Sequence, residues 1–114
     1  MEIINSGTTR KELISKITYF ETMLKAVVDI EKRVLAIDSE LHSDLEAYLL
    51  KNGSKQENLW GINLYPLQDK KDFIEYTSLI NIRPHQDNPS MEIENSGTKK
   101  QIEEIVFELI NYDS

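Results

Sequence analysis

"LKAVVDIEKRVLAID", residues 24–38, is the stretch on which the fold turns. Two apolar runs rich in Val and Ile flank Glu31-Lys32. β-branched residues favour extended backbone, and a short polar break between two such runs predicts a β-hairpin. Downstream, "SELHSDLEAYLLKNG" (39–53) changes period. Leu41, Leu45, Tyr48 and Leu49 fall on one side of a helix, Asp38 or Ser39 offers an N-cap, and Asn52-Gly53 a stop. "NLWGINLYP" (58–66) sets Trp60, Ile62 and Leu64 against Gly61, Asn63 and Tyr65. "FIEYTSLINIRP" (73–84) alternates likewise, with Ile74, Tyr76, Ile80 and Ile82 inward and Glu75, Thr77, Leu79, Asn81 and Arg83 outward. "LQDKKD" (67–72) and "HQDNPS" (85–90) read as polar loops.

The chain writes one phrase twice: "MEIINSGT" at Met1 and "MEIENSGT" at Met91. Each predicts strand, turn and helix start. Thr9-Arg10-Lys11-Glu12 and Thr98-Lys99-Lys100-Gln101 both fit the capping box, in which side chains satisfy the orphan amides of a helix N-terminus. Aligned on those boxes, Leu13, Ile17 and Phe20 match Ile102, Val106 and Leu109 as apolar stripes, and the last helix runs from about Thr98 to Asn111. The similarity ends with the boxes, so one junction used twice is expected, rather than a duplicated fold. The predicted order is β-α-β-β-α-β-β-β-α. That order makes a single α+β domain over residues 1–114, an antiparallel sheet with about three helices packed on one face.

Composition excludes several functions. With 114 residues, 39% hydrophobic and 29% charged, the chain is globular. It has no cysteine, which removes disulfides, thiolate metal sites and a cysteine nucleophile. A net charge of −7 without a basic run argues against a nucleic-acid partner, including the RNA-cleaving toxins of similar size. No apolar run approaches the ~20 residues that span a bilayer, and no secretion signal is evident. A cytoplasmic protein with no membrane partner is expected.

Three places carry chemistry. In "ELHSDLE", His42 and Glu46 are four apart and share a helix face, the start of a metal site or an acid–base pair. Position 46 is Glu where the H-E-x-x-H pattern needs histidine, His85 is the only other histidine, and Asp44 points elsewhere on the helix. No metal and no cofactor are therefore assigned, and no nucleophile elbow is present. In "INIRPHQDNPS" (80–90), Asp87, Asn88 and Pro89 are turn formers, whereas Arg83 and Gln86 are not; Arg83 offers a planar fork for a carboxylate or phosphate. Trp60 and Tyr65 flank Gly61 and Asn63 on one strand, where an aromatic is more often core than ligand platform and a glycine either admits close approach of a backbone or ligand or marks a bulge.

"KAVVDIE", "ELHSDLEAYLL", "GSKQENLWGINLYP", "SLINIRP" and "SMEIE", in that order, resemble a family of small bacterial and archaeal domains of unknown function, over about residues 8–112. The resemblance implies no activity, cofactor or partner, so no catalytic residue carries over. The positions matching its wording include Glu40, His42, Asp44, Glu46, Trp60, Gly61, Asn63, Arg83, Gln86, Asn88 and Ser90. The chain departs from it at Arg33 and at Asp38-Ser39, where small residues or glycine are expected.

Two functions remain open. One is a binding or regulatory module that takes a protein partner or its own copy, with Leu79 on its outer surface. The other is a small ligand- or metal-binding protein or hydrolase-like enzyme, with His42 and Glu46 facing Arg83 and Gln86 across one cleft. The geometry of those four residues distinguishes them.

Overall fold

The computed structural model describes residues 1–113. Residues 24–38 form the predicted hairpin, with β3 (Leu24–Asp29) antiparallel to β4 (Val34–Ile37). Its turn is built by the buried Asp29, whose Oδ1 accepts from the amides of Glu31 and Lys32 at 2.9 Å each and whose Oδ2 accepts from Ser54 Oγ at 2.6 Å. β1 (Glu2–Ile4) joins the outer side of β4, and β5 (Leu59–Leu64) joins β3. β6 (Ile74–Glu75) pairs with β5 and completes an antiparallel sheet ordered β1-β4-β3-β5-β6. A separate parallel pair joins β2 (Thr8–Thr9) to β7 (Ile110–Asn111), neither of which was expected.

The fold is α+β, as the sequence implies, but its helices do not share one face. Pleating sends Ala26, Val28, Leu35, Ile37, Trp60 and Ile62 to one side, where they pack with Leu13 of α1 (Arg10–Ser15) and Ile102, Ile105 and Val106 of α3 (Ser96–Leu109). The intervening Val27, Ala36 and Leu59 are equally apolar and need their own cover. Leu45 and Leu49 of α2 (His42–Lys51) supply it from the opposite side. A hairpin that is apolar on both faces builds two cores, and that is why the helices divide.

Several local expectations change. α2 begins at His42, with Leu41 at its N-cap and no side-chain cap. Asp38 takes a left-handed φ of 76° and Ser39 Oγ accepts from the Leu41 amide, so the chain turns before it can enter the helix. Arg33 is also left-handed, at φ 57°. Both departures from the family wording thus fall where glycine would be unstrained. Leu41, assigned to the apolar side, stands exposed.

The repeated phrase takes two conformations. Thr9 Oγ1 accepts from the Glu12 amide, as the capping box requires. In the second copy Asn95 is the cap, accepting from the Thr98 amide at 2.9 Å, and Ser96-Gly97 are already helical. Asn5, at the matching position, precedes its helix by a turn and a strand. α1 also stops at Ser15, leaving Ile17 and Phe20 beyond it.

"MEIE" (91–94) forms no strand; its one bridge is Thr77 to Glu92. Residues 73–84 leave the sheet after Glu75. They turn through 3-10 segments at Leu79–Asn81 and Pro84–Gln86, and the predicted alternation reverses, with Asn81 and Arg83 buried and Ile82 exposed. Backbone hydrogen bonding explains the reversal. Beyond β6, β5 has no strand on its outer edge. Asn81 fills that place, its Oδ1 accepting from the Gly61 amide at 2.8 Å and its Nδ2 donating to the Gly61 carbonyl at 2.9 Å. Gly61 makes this possible, because a Cβ there would lie 2.5 Å from Ser78 Cβ. Among the described residues no helix is long and apolar enough to cross a membrane.

Candidate functional site

α2 sets His42, at its first helical position, over β5. Nε2 lies 2.7 Å from the Ile62 carbonyl, which can only accept, so the neutral ring carries its hydrogen on Nε2. Nδ1 makes no hydrogen bond within the described residues. The side chain is 8% exposed, and burial lowers its pKa below the usual 6.5. The Lys25 charge adds to this, while the Ile62 carbonyl and Asn63 oppose it. Asn63, also 8% exposed, donates through Nδ2 to Glu75 Oε1 at 2.7 Å and to the Thr77 carbonyl at 3.3 Å. Its Oδ1 is buried with no hydrogen-bond partner among the described residues.

These two side chains form the floor of a groove of about 350 Å3. Lys25 stands beside Asn63 in register across β3 and β5, and Ser43 lies next to His42. Thr77, Ser78 and Ile80 line the far wall, and Leu41, Leu79 and Met91 form a rim that is 52%, 71% and 41% exposed.

The neutral His42 gives a measurable pH dependence. Well above pH 6.5 both folded and unfolded chains hold it neutral, so its contribution is constant. As pH falls below 6.5 the unfolded chain takes up the proton first, and stability is lost until the folded ring also protonates. Urea unfolding at pH 7.5 and 5.5 is expected to show a drop of at most about 1.4 kcal/mol from this group. The drop should vanish in His42→Gln, and an unchanged drop in that variant would assign it to other groups.

The remaining predicted residues gather elsewhere. Arg83 is buried in the connection between β6 and α3. Its Nε donates to the Ile80 carbonyl at 3.1 Å and its Nη1 to the Gln56 carbonyl at 2.8 Å and Gln86 Oε1 at 3.1 Å, while Nη2 donates to the Leu59 carbonyl. The guanidinium lies 4.3 Å from the Trp60 ring centre. Burial lowers its pKa, and the nearby Glu46 opposes that shift. Glu46 Oε2 is buried without a hydrogen bond among the described residues.

Gln86 Nε2 donates to the Glu57 carbonyl at 3.1 Å. Asn88 is no solvated turn former: its buried amide donates to the carbonyls of Asn81, Ser90 and Glu92 and accepts from the Glu94 amide. Trp60, Gln86 and Asn88 border a second concavity, of about 280 Å3, together with Asp87 and Asn95. Asp44 lies in a third, beside Ser39, Glu40 and Tyr19.

The structure therefore joins His42 to Asn63, and Arg83 to Trp60, Gln86 and Glu46; Arg83 and Gln86 do not line the groove over His42. Among the described residues no three His, Asp or Glu side chains converge as metal ligands. Sequence reasoning missed Lys25, Ser43, Ser78 and Met91. Lys25 was hidden as the polar letter of an apolar strand, and the others are ordinary residues whose role comes from juxtaposition.

No curated protein matches the chain, and no solved structure does. Residues 2–109 match a family described as a protein of unknown function, DUF5674. That span takes in the hairpin, the groove and the Arg83 cluster, and this chain belongs to that family.

Proposed function

We propose that this protein is a small binding module whose ligand occupies the groove over His42 and Asn63. One observation carries the reading: exposed Leu41, Leu79 and Met91 surround a concavity whose floor holds buried polar groups. Large apolar side chains clustered around a pocket with a few convergent polar atoms mark a binding site more often than a bare surface. Neutral His42, with Nδ1 uncommitted, offers a hydrogen-bond acceptor, and Asn63 Oδ1 offers another. A cytoplasmic, prokaryotic setting accompanies this reading. Its support is the absence of cysteine and the resemblance to bacterial and archaeal domains. The −7 charge keeps nucleic acid off the list of partners.

Indole, apolar with a single N–H donor, is a suitable first probe. Titrated into 15N-labelled protein, it is expected to shift the amides of Lys25, His42, Ser43, Asn63, Ser78 and Leu79 saturably, and to lose that effect in Leu79→Asp. Shifts centred on another face would overturn the assignment. A protein partner or second copy on the same face is the other reading, favoured by Ile82, 43% exposed, which carries apolar surface on from Leu79. Sedimentation over a range of concentrations tests self-association directly.

A further inference from the structure

We infer that the groove receives a small carboxylic acid with an apolar body, its carboxylate on Lys25; the inference rests on the binding-module reading above. The chain has 20 acidic and 13 basic residues, yet no carboxylate lines this groove. Four other concavities each have at least one: Glu108 and Asp113, Glu103, Glu57 and Asp87, and Glu40 and Asp44. A protein this acidic thus leaves this concavity open to an anion.

Lys25 is the cation in that concavity, and it is unspent. It is half-buried, its Nζ lies 5.2 Å from the Phe20 ring centre, and it forms no ion pair among the described residues. Lys16, by contrast, meets Glu2 at 2.8 Å. The acid nearest Lys25 by register is Glu75, two strands away on the same face, about 10 Å at ordinary strand spacing. Glu75 Oε1 already accepts from Asn63 and Tyr65.

The N-terminus of α2 adds to the positive character. Leu41 provides no side-chain cap, so the first amides of the helix, at the groove residues His42 and Ser43, have no intrahelical partner, and Asp44 of the same turn borders a different concavity, with Glu40. One ammonium with a neighbouring hydroxyl and open amides suits a monoanion. Leu41, Leu79, Ile80 and Met91 then take the apolar body. The volume lies at the small end of ligand pockets.

Phenylacetate and its neutral counterpart phenylacetamide separate the carboxylate from the apolar body. In amide-shift titrations at pH 7.5, phenylacetate is expected to bind in the groove at least about tenfold more tightly than phenylacetamide, the scale of one charge-assisted hydrogen bond. Lys25→Met, which keeps the aliphatic stem, should erase that preference, and Lys25→Arg should keep it. Equal binding of the two probes would overturn the carboxylate assignment and leave the groove intact as a site. Binding of a short peptide with a free C-terminal leucine, without binding of phenylacetate, would overturn it in favour of a polypeptide terminus. Failure of both probes and of indole would remove the groove reading with it.

Discussion

Asn81→Ala is expected to lower the unfolding free energy by about 3–5 kcal/mol, a large share of the 5–15 kcal/mol typical of a domain. The fully buried Asn81 amide acts as a piece of strand, accepting from the Gly61 N–H and donating to the Gly61 carbonyl, with a further bond to the Met91 carbonyl at 3.2 Å. Alanine leaves the amide and carbonyl of Gly61 without partners in a buried strand, each at about 1–3 kcal/mol. Asn81→Asp is the sharper variant. It has nearly the same shape and still accepts from the Gly61 amide, but it sets a carboxylate oxygen against the Gly61 carbonyl. It should therefore be at least as damaging as alanine. Urea denaturation measures both. A loss below about 1 kcal/mol for alanine would mean that water replaces the side chain.

The second large effect is at Arg83. Arg83→Met is expected to cost about 3–5 kcal/mol, the range for removing one member of a buried charged cluster. Three backbone carbonyls, of Gln56, Leu59 and Ile80, lose their donor, and Glu46 loses the positive charge near it. Arg83→Lys should cost about 2 kcal/mol, because an ammonium cannot reproduce the flat fork that reaches separate carbonyls while lying on Trp60. Trp60 is the single tryptophan, so its fluorescence reports the loss of the guanidinium independently of stability. An Arg83→Met protein as stable as the parent would show that burying the guanidinium costs as much as its hydrogen bonds return.

Those two residues mark where the sequence was legible and where it was not. Residues 24–38 could be read because a strand preference and a polar break are local properties, and the hairpin formed where they placed it. Asn81 and Arg83 were misplaced on the outer side of a strand. What buries them is the set of otherwise unpaired groups at positions 56–61, twenty or more residues away, and nothing local announces a missing strand. His42 stood out as a polar letter on a helix. Its hydrogen bond runs to the Ile62 carbonyl on β5, beside Asn63, rather than to Glu46 one turn away, because the first helical residue of α2 lies over β5. The repeated phrase shows the same limit from the other side. Asn-Ser-Gly-Thr starts a helix at once after residue 94 and only after a strand at residue 5, so surroundings decide between conformations that the letters permit equally.

The use of side chains along the outer edge of β5 also bears on how this molecule meets others. A bare strand edge is a template on which a foreign strand can grow, and it is the usual starting point for domain swapping and fibrous aggregation. Here Asn81 and Arg83 cover that edge without offering a backbone ladder. The strands left at the margins, β1 and β6, are three and two residues long. Recruitment by strand addition therefore has little to grip. Runaway pairing is correspondingly disfavoured at these edges.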